Sequence, residues 1–167
     1  MDKTSLENLI KVLKYEFDIY SAIMDAGIKK TDCLIKNDIQ TLVSLTEQEK
    51  ELSKKAEQLN QAREQLIKKI SGGIGQDPGS VTLSELIKQV PQPYSQQLED
   101  IGNKLTKLIN ELSARNDINK KLIENALQYV DFSIQLMASP QPEAPVYGKS
   151  GNEVSNAPKR SVLDIKY

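Results

Sequence analysis

The chain has 167 residues, and its 22 Lys and Arg residues nearly balance its 23 Asp and Glu residues, which gives a formal net charge of −1. That balance provides no general field to attract nucleic acid or an anionic membrane. The chain has no histidine, no tryptophan and one cysteine, so histidine acid–base catalysis, metal sites built from His and Cys, and disulfides within the chain are excluded. We therefore expect no enzyme, no cofactor and no metal, and one domain with or without appendages.

The first predicted element is a helix at about residues 5–36, beginning after Thr4 or Ser5. Its seam, at alternating three- and four-residue steps, consists of Leu6, Ile10, Leu13, Phe17, Tyr20, Met24, Gly27, Thr31 and Leu34. Gly27 and Thr31 weaken this apolar pattern near the end of the helix. A bend or a close approach of another backbone is expected there.

The second predicted helix covers about residues 38–70, and Asn37 and Asp38 predict the turn before it, with Asp38 as a helix cap. Its seam consists of Leu42, Leu45, Glu49, Leu52, Ala56, Leu59, Arg63, Leu66 and Ile70. Two of these positions are charged, Glu49 and Arg63. Either they lie at a solvated edge, where long side chains can snorkel, or they meet polar seam groups across the bundle and fix the register.

A short amphipathic helix is predicted at residues 82–90, after a loop at 71–80 that is rich in glycine and contains a proline. Thr82 and Glu85 have the spacing of a capping box at its start. Two prolines after Val90 end it.

The longest predicted helix, at about residues 94–138, organises the rest of the chain. Its seam consists of Leu98, Ile101, Leu105, Leu108, Leu112, Arg115, Asn119, Leu122, Ala126, Tyr129, Ser133 and Leu136. Nine of these twelve positions are apolar or alanine, and a helix with so long an apolar stripe needs neighbours to cover it.

Polar residues interrupt this seam at one level, at Arg115, Asn116 and Asn119. One interpretation is a tolerated polar layer inside a bundle. The other is an interhelical hydrogen-bond layer that includes Glu49 or Arg63. Neither interpretation is catalytic, because no nucleophile or metal set accompanies these side chains.

The end of this helix is apolar on more than one face, since ten of the sixteen residues 122–137 are Leu, Ile, Ala, Tyr, Val, Phe or Met. The apolar residues outside the seam are Ile123, Leu127, Val130, Phe132 and Ile134. They either contact the short helix at 82–90 or extend beyond shorter neighbours. In the second case they form an exposed apolar patch, which usually marks a protein-binding surface.

The predicted fold class is therefore all-α. We expect an elongated antiparallel bundle or coiled coil of three long helices plus one short helix at residues 1–138. A flexible, proline-rich tail is expected at 139–167, because that stretch has four prolines and few large apolar residues.

Five segments in chain order carry a family resemblance. They are LVSLTEQEKEL (42–52), LNQAR (59–63), TLSELI (82–87), NDINKKLIE (116–124) and VYGKSGN (146–152). The specific part is the Asn-x-x-Asn-x-x-Leu turn followed by a proline-rich tail with Tyr-Gly-x-x-Gly. Together with the basic, apolar-ended close KRSVLDIKY, these segments resemble the FlgN family of flagellar type III export chaperones, over nearly the whole chain.

The resemblance implies a helical cytosolic protein that binds flagellar hook–filament junction proteins, whose terminal helices polymerise if left free. It implies client binding in the C-terminal third, at the surface that carries Ile123, Leu127, Val130, Phe132 and Ile134. It also implies docking on the flagellar export gate through Tyr147 with Gly148 and Gly151, with export ATPase components as further partners. An architectural role is left to the polar residues Glu49, Arg63, Asn116 and Asn119.

The alternative function is a homo-oligomeric coiled-coil structural adaptor built through the same seams. A membrane-surface helix is disfavoured by the mixed-sign polar faces, and no apolar run is long enough to span a bilayer. We thus expect a cytoplasmic protein with no nucleic-acid partner and no membrane insertion. Residues 162–167 are more apolar than a passive tail needs, and we expect them to be able to fold back onto the surface of 122–136 when no client is bound.

Overall fold

A computed structural model describes residues 3–73 and 81–139, which form four α-helices. They are α1 (Lys3–Lys36), α2 (Ile39–Gly72), α3 (Leu83–Gln89) and α4 (Tyr94–Ala138). No strand occurs in these two ranges. The all-helical prediction is confirmed, and each helix lies within two residues of its predicted bounds.

The turn between α1 and α2 forms as its two polar residues predict. Asn37 has a φ of 57°, a left-handed conformation that asparagine tolerates better than most residues. Asp38 then caps α2, because its side chain accepts a hydrogen bond from the Thr41 backbone N–H at 3.1 Å. The expected start of α1 was wrong: the helix begins at Lys3, so Thr4 and Ser5 lie inside its first turn.

The predicted capping box opens α3. The Thr82 hydroxyl accepts a hydrogen bond from the Glu85 backbone N–H at 3.3 Å, and the Glu85 carboxylate accepts one from the Thr82 N–H at 2.8 Å. Two backbone donors that have no partner within the helix are satisfied in this way. The box lets a helix of only seven residues hold Leu86 in the core.

The hydrophobic core collects residues from all four helices. It consists of Leu6, Leu9, Ile10, Leu13, Ile70, Leu86, Val90, Leu98, Ile101 and Leu105. The start of α1 and the end of α2 therefore meet, so α2 runs back along α1. The start of α4 lies in the same core, and Asn119 further along α4 contacts α1 near its end, so α4 runs in the same direction as α1.

The chain divides into two compact units, Met1–Leu122 and Ile123–Tyr167. This division falls inside α4, whereas the sequence predicted a boundary after residue 138. The core belongs to the first unit. Of the second unit the structure describes 123–139, the last turns of α4. None of the four described helices is both long and apolar enough to cross a membrane.

Candidate partner-binding surface

The last turns of α4 carry large apolar side chains that remain exposed. All five residues predicted at this surface are exposed, as are three further ones: Ile123, Leu127, Tyr129, Val130, Phe132, Ile134, Leu136 and Met137. Leu127 keeps 59 % of its surface and Phe132 keeps 62 %, whereas Leu98 on the same helix keeps none. Soluble proteins rarely leave a contiguous apolar patch of this kind without a partner.

Successive residues of an α-helix are about 100° apart, which sorts these side chains into two stripes. The first stripe consists of Ile123, Leu127, Val130, Ile134 and Met137. The second stripe consists of Tyr129, Phe132 and Leu136, and the polar Asn125 lies within it, between Phe132 and Leu136 in angle. Between the two lie Leu122, Ala126 and Ser133, and the opposite side is polar, with Glu124, Gln128, Asp131 and Gln135.

Of the second stripe, the sequence interpretation named only Phe132 among the predicted client contacts. Tyr129 and Leu136 were assigned to a seam that packs inside a bundle, and Met137 was given no role. The signal was present in the sequence, because apolar residues on both sides of a seam require two neighbours.

The two charged seam residues of α2 form ion pairs with α1. Glu49 pairs with Lys30, and both side chains are largely buried. The Arg63 Nη1 donates to the Glu16 Oε2 at 2.8 Å, and Arg63 also contacts the Asn60 side chain. Glu49 and Arg63 thus meet charged groups across a helix interface, but their partners lie outside the predicted seam of α1. The sequence interpretation identified neither Lys30 nor Glu16 as the partner.

Glu16 is the most deeply buried charged group among the described residues. Its side chain has no exposed surface, and its Oε1 has no hydrogen-bond partner. Burial raises the pKa of this carboxyl, and the charge and the hydrogen bond of Arg63 oppose that rise. The ionised form of Glu16 therefore depends on Arg63.

Asn119 forms a buried contact between α4 and α1. Its Nδ2 donates to the Gly27 carbonyl at 2.9 Å, and its Oδ1 lies 2.6 Å from the Thr31 hydroxyl. A Cβ added to Gly27 would lie 3.3 Å from the Arg115 Cγ, so a side chain of α4, and not its backbone, packs closely against α1 here. Gly27 and Thr31, which Asn119 contacts, are the two positions at which the apolar seam of α1 weakens.

The predicted polar residues do not form a single layer. Asn119 forms a hydrogen bond with Gly27 of α1 and not with the predicted partners Glu49 or Arg63 of α2. Asn116 is exposed. Glu49 and Arg63 are fourteen residues apart on α2, or about 20 Å along the helix, so one layer could not hold both. Glu49, Arg63 and Asn119 instead form three separate polar contacts, each with α1. An architectural role for these residues stays a prediction.

The predicted gate-docking residues Tyr147, Gly148 and Gly151 lie outside the described residues, as do residues 162–167. Cys33 is free and buried. In the described part of the chain, no group of three or more His, Cys, Asp or Glu residues is placed to hold a metal ion.

A protein-family model described as "FlgN protein" matches residues 1–155. The match includes all four helices and the Tyr-Gly-x-x-Gly segment of the tail. No curated protein and no solved structure matches the chain significantly.

Proposed function

The chain belongs to the FlgN family of flagellar export chaperones, and from that premise we propose that it is a cytoplasmic chaperone for flagellar hook–filament junction proteins. In this proposal it binds the terminal amphipathic helical region of a junction protein, prevents premature polymerisation and delivers the client to the type III export gate. The last described turns of α4 present the binding surface in this proposal, and the helices of the first unit contain the hydrophobic core.

The observation that carries the proposal is the exposed apolar end of α4. Eight large side chains between residues 123 and 137 remain in contact with water. An amphipathic helix packed against them would bury its own apolar face, which is the face that drives self-assembly. A client held in this way stays monomeric and needs no folded domain of its own, as export requires.

Delivery is assigned to the tail. Tyr147, Gly148 and Gly151 carry the family-like segment, and the family match extends through it. A docking element tethered to the chaperone raises the effective concentration of the client at the gate, because the second contact becomes intramolecular. The gate and export ATPase components are the proposed partners at this step.

Leu127→Asp is expected to weaken binding of the junction protein about 30-fold, because a charge placed in a desolvated apolar contact costs about 2 kcal/mol. Isothermal titration of the purified full-length client measures the change. The free energy of unfolding should stay within about 0.5 kcal/mol of the wild type, because Leu127 is exposed in the free chain.

Gln128→Asp is the matched control. It adds the same charge one residue further along the chain, on the polar side of α4. It should leave client affinity unchanged. Equal effects of the two substitutions would contradict binding at the apolar surface. A stable oligomer in light scattering that binds no junction protein would instead support the alternative, a homo-oligomeric structural adaptor.

Tyr147→Ala is expected to leave client affinity unchanged and to lower delivery of the client. Its side chain is proposed to contact the gate and not the client. Secretion of the junction protein by cells measures delivery, and titration of the purified pair measures affinity. A parallel loss of affinity and secretion would show that the tail belongs to the client site, and would remove the assignment to the gate.

A further inference from the structure

We propose that the apolar end of α4 binds two helices of one client molecule at once, one on each stripe, and not a single helix. The proposal rests on the proposed function, because it specifies what the client contributes to that site. Its basis is the width of the apolar surface and the way the large side chains divide on it.

The exposed apolar side chains span an arc of about 220° around α4, counted at about 100° per residue, and Asn125 and Ser133 are the polar residues within it. One helix that packs against another covers a stripe about 100° wide. A single client helix on the first stripe would therefore leave Phe132 and Tyr129 in water. A helix on the second stripe would leave Leu127 and Ile134 in water.

The middle of the arc favours two grooves over one broad contact. Two of the three residues there, Ala126 and Ser133, are small. Small side chains between two rows of large ones leave a valley on which two helices can converge, so that each covers its own row. The result is a three-helix arrangement of one chaperone helix and two client helices.

The same seam of α4 already faces more than one helix in the first unit. Leu98, Ile101 and Leu105 share a core with residues of both α1 and α2. After the polar seam positions Arg115 and Asn119, the heptad spacing resumes with Leu122 and Ala126. A surface with the same periodicity and a wider apolar arc calls for at least as many neighbours.

The surface area buried on binding distinguishes a single client helix from two client helices. Residues 123–138 form a cylinder about 24 Å long that presents about 1,000 Å² of accessible surface. One helix on a 100° stripe would bury about 600 Å² counted over both partners, below the roughly 1,000 Å² that a specific interface should clear. Two helices on the full arc would bury about 1,200 Å², which passes that threshold.

The charges next to the stripes specify the chemistry of the two client helices. Glu124 and Asp131 are the charged side chains of residues 122–139, and both lie beside the first stripe. The client helix there should carry Lys or Arg at the edge of its apolar face. The second stripe borders Gln128, so its helix should have an uncharged polar edge.

The test compares Val130→Asp on the first stripe with Phe132→Asp on the second, each in the full chain. Both side chains are exposed in the free protein, so neither variant should change the thermal midpoint. We expect each variant to lower affinity for the purified full-length junction protein at least 10-fold, and the double variant at least 100-fold. Gln135→Asp on the polar side is the control and should stay within twofold. Titration should give one client per chain.

Client fragments give a second measurement. A fragment with two terminal helices should bind at least 10-fold more tightly than a peptide of either helix alone. Its complex should also show contacts from both the Leu127 and the Phe132 side chains to the client, measured as nuclear Overhauser effects from these two side chains. The inference would be overturned if the client contacted only one stripe and a single-helix peptide bound as tightly as the two-helix fragment.

Three further outcomes would also overturn it. One is that only one stripe matters for binding. Another is that the Phe132→Asp effect disappears when residues 140–167 are removed, which would assign the second stripe to the chain's own tail. The third is a complex with two copies of the chain or two clients. If the wild type does not bind a junction protein at all, the proposed function fails, a result distinct from these.

Discussion

Arg63→Met is expected to lower the free energy of unfolding by about 3 kcal/mol at pH 7, because it leaves a buried carboxylate without its counter-charge. Glu16 has no exposed surface, and Arg63 supplies the hydrogen bond to its Oε2. The Oε1 of Glu16 already has no hydrogen-bond partner, so no second contact can compensate. Urea unfolding followed by circular dichroism measures the change.

The double variant Glu16→Leu with Arg63→Met is the control. Replacing both members of a buried ion pair by apolar residues of similar size is often neutral, since the desolvation cost disappears with the attraction. We expect its stability to lie within about 1 kcal/mol of the wild type. Lys54→Met removes an ion pair between exposed side chains, with Glu51, and should have no measurable effect. Equal stability of Arg63→Met and the wild type would show that the pair contributes nothing.

The effect of Arg63→Met should depend on pH in a defined direction. Burial raises the pKa of Glu16 above its ordinary value of 4.5, so the folded state holds this proton more tightly than the unfolded state does. The contribution of Glu16 to stability is therefore largest below pH 4.5 and is lost as the pH rises through the folded pKa. Without Arg63 that pKa rises further, so the difference between Arg63→Met and the wild type should shrink from pH 7 towards pH 4.5.

The sequence predicted the helices well because the three long helices have long seams and the starts of α2 and α3 have clear capping signals. Asp38 at a turn and Thr82 with Glu85 at a capping spacing are local patterns, and local backbone chemistry decides them. The start of α1 was misplaced because Thr4 and Ser5 can occupy either a cap or a first turn.

The polar contacts were harder to predict because they depend on how the helices are rotated against each other. Glu16 lies on a second line of residues, with Leu9 and Ile23, beside the seam that the sequence favoured. The structure buries this line, so the partner of Arg63 is Glu16 and not a polar residue of α4. A repeat of 3.6 residues permits both lines, and only tertiary packing chooses between them.

Leu86→Ala is expected to destabilise the protein by about 3 kcal/mol, because the side chain is fully buried and its removal leaves a cavity where all four helices meet. Leu127→Ala makes the same chemical change on the exposed end of α4 and should change stability by less than about 0.5 kcal/mol. Urea unfolding of the two variants under one condition gives the comparison.

Client affinity should respond in the reverse order. Leu127→Ala should weaken binding of the junction protein about 10-fold, since it removes a contact worth about 1.4 kcal/mol. Leu86→Ala should bind normally at temperatures where it remains folded, because Leu86 lies in the first unit. A large loss of stability from Leu127→Ala would mean that another part of the chain already covers this side chain, and the surface would then not be free for a client. If Leu86→Ala lowers only the stability and Leu127→Ala lowers only the affinity, the two variants distinguish the core that maintains the fold from the proposed client-binding surface.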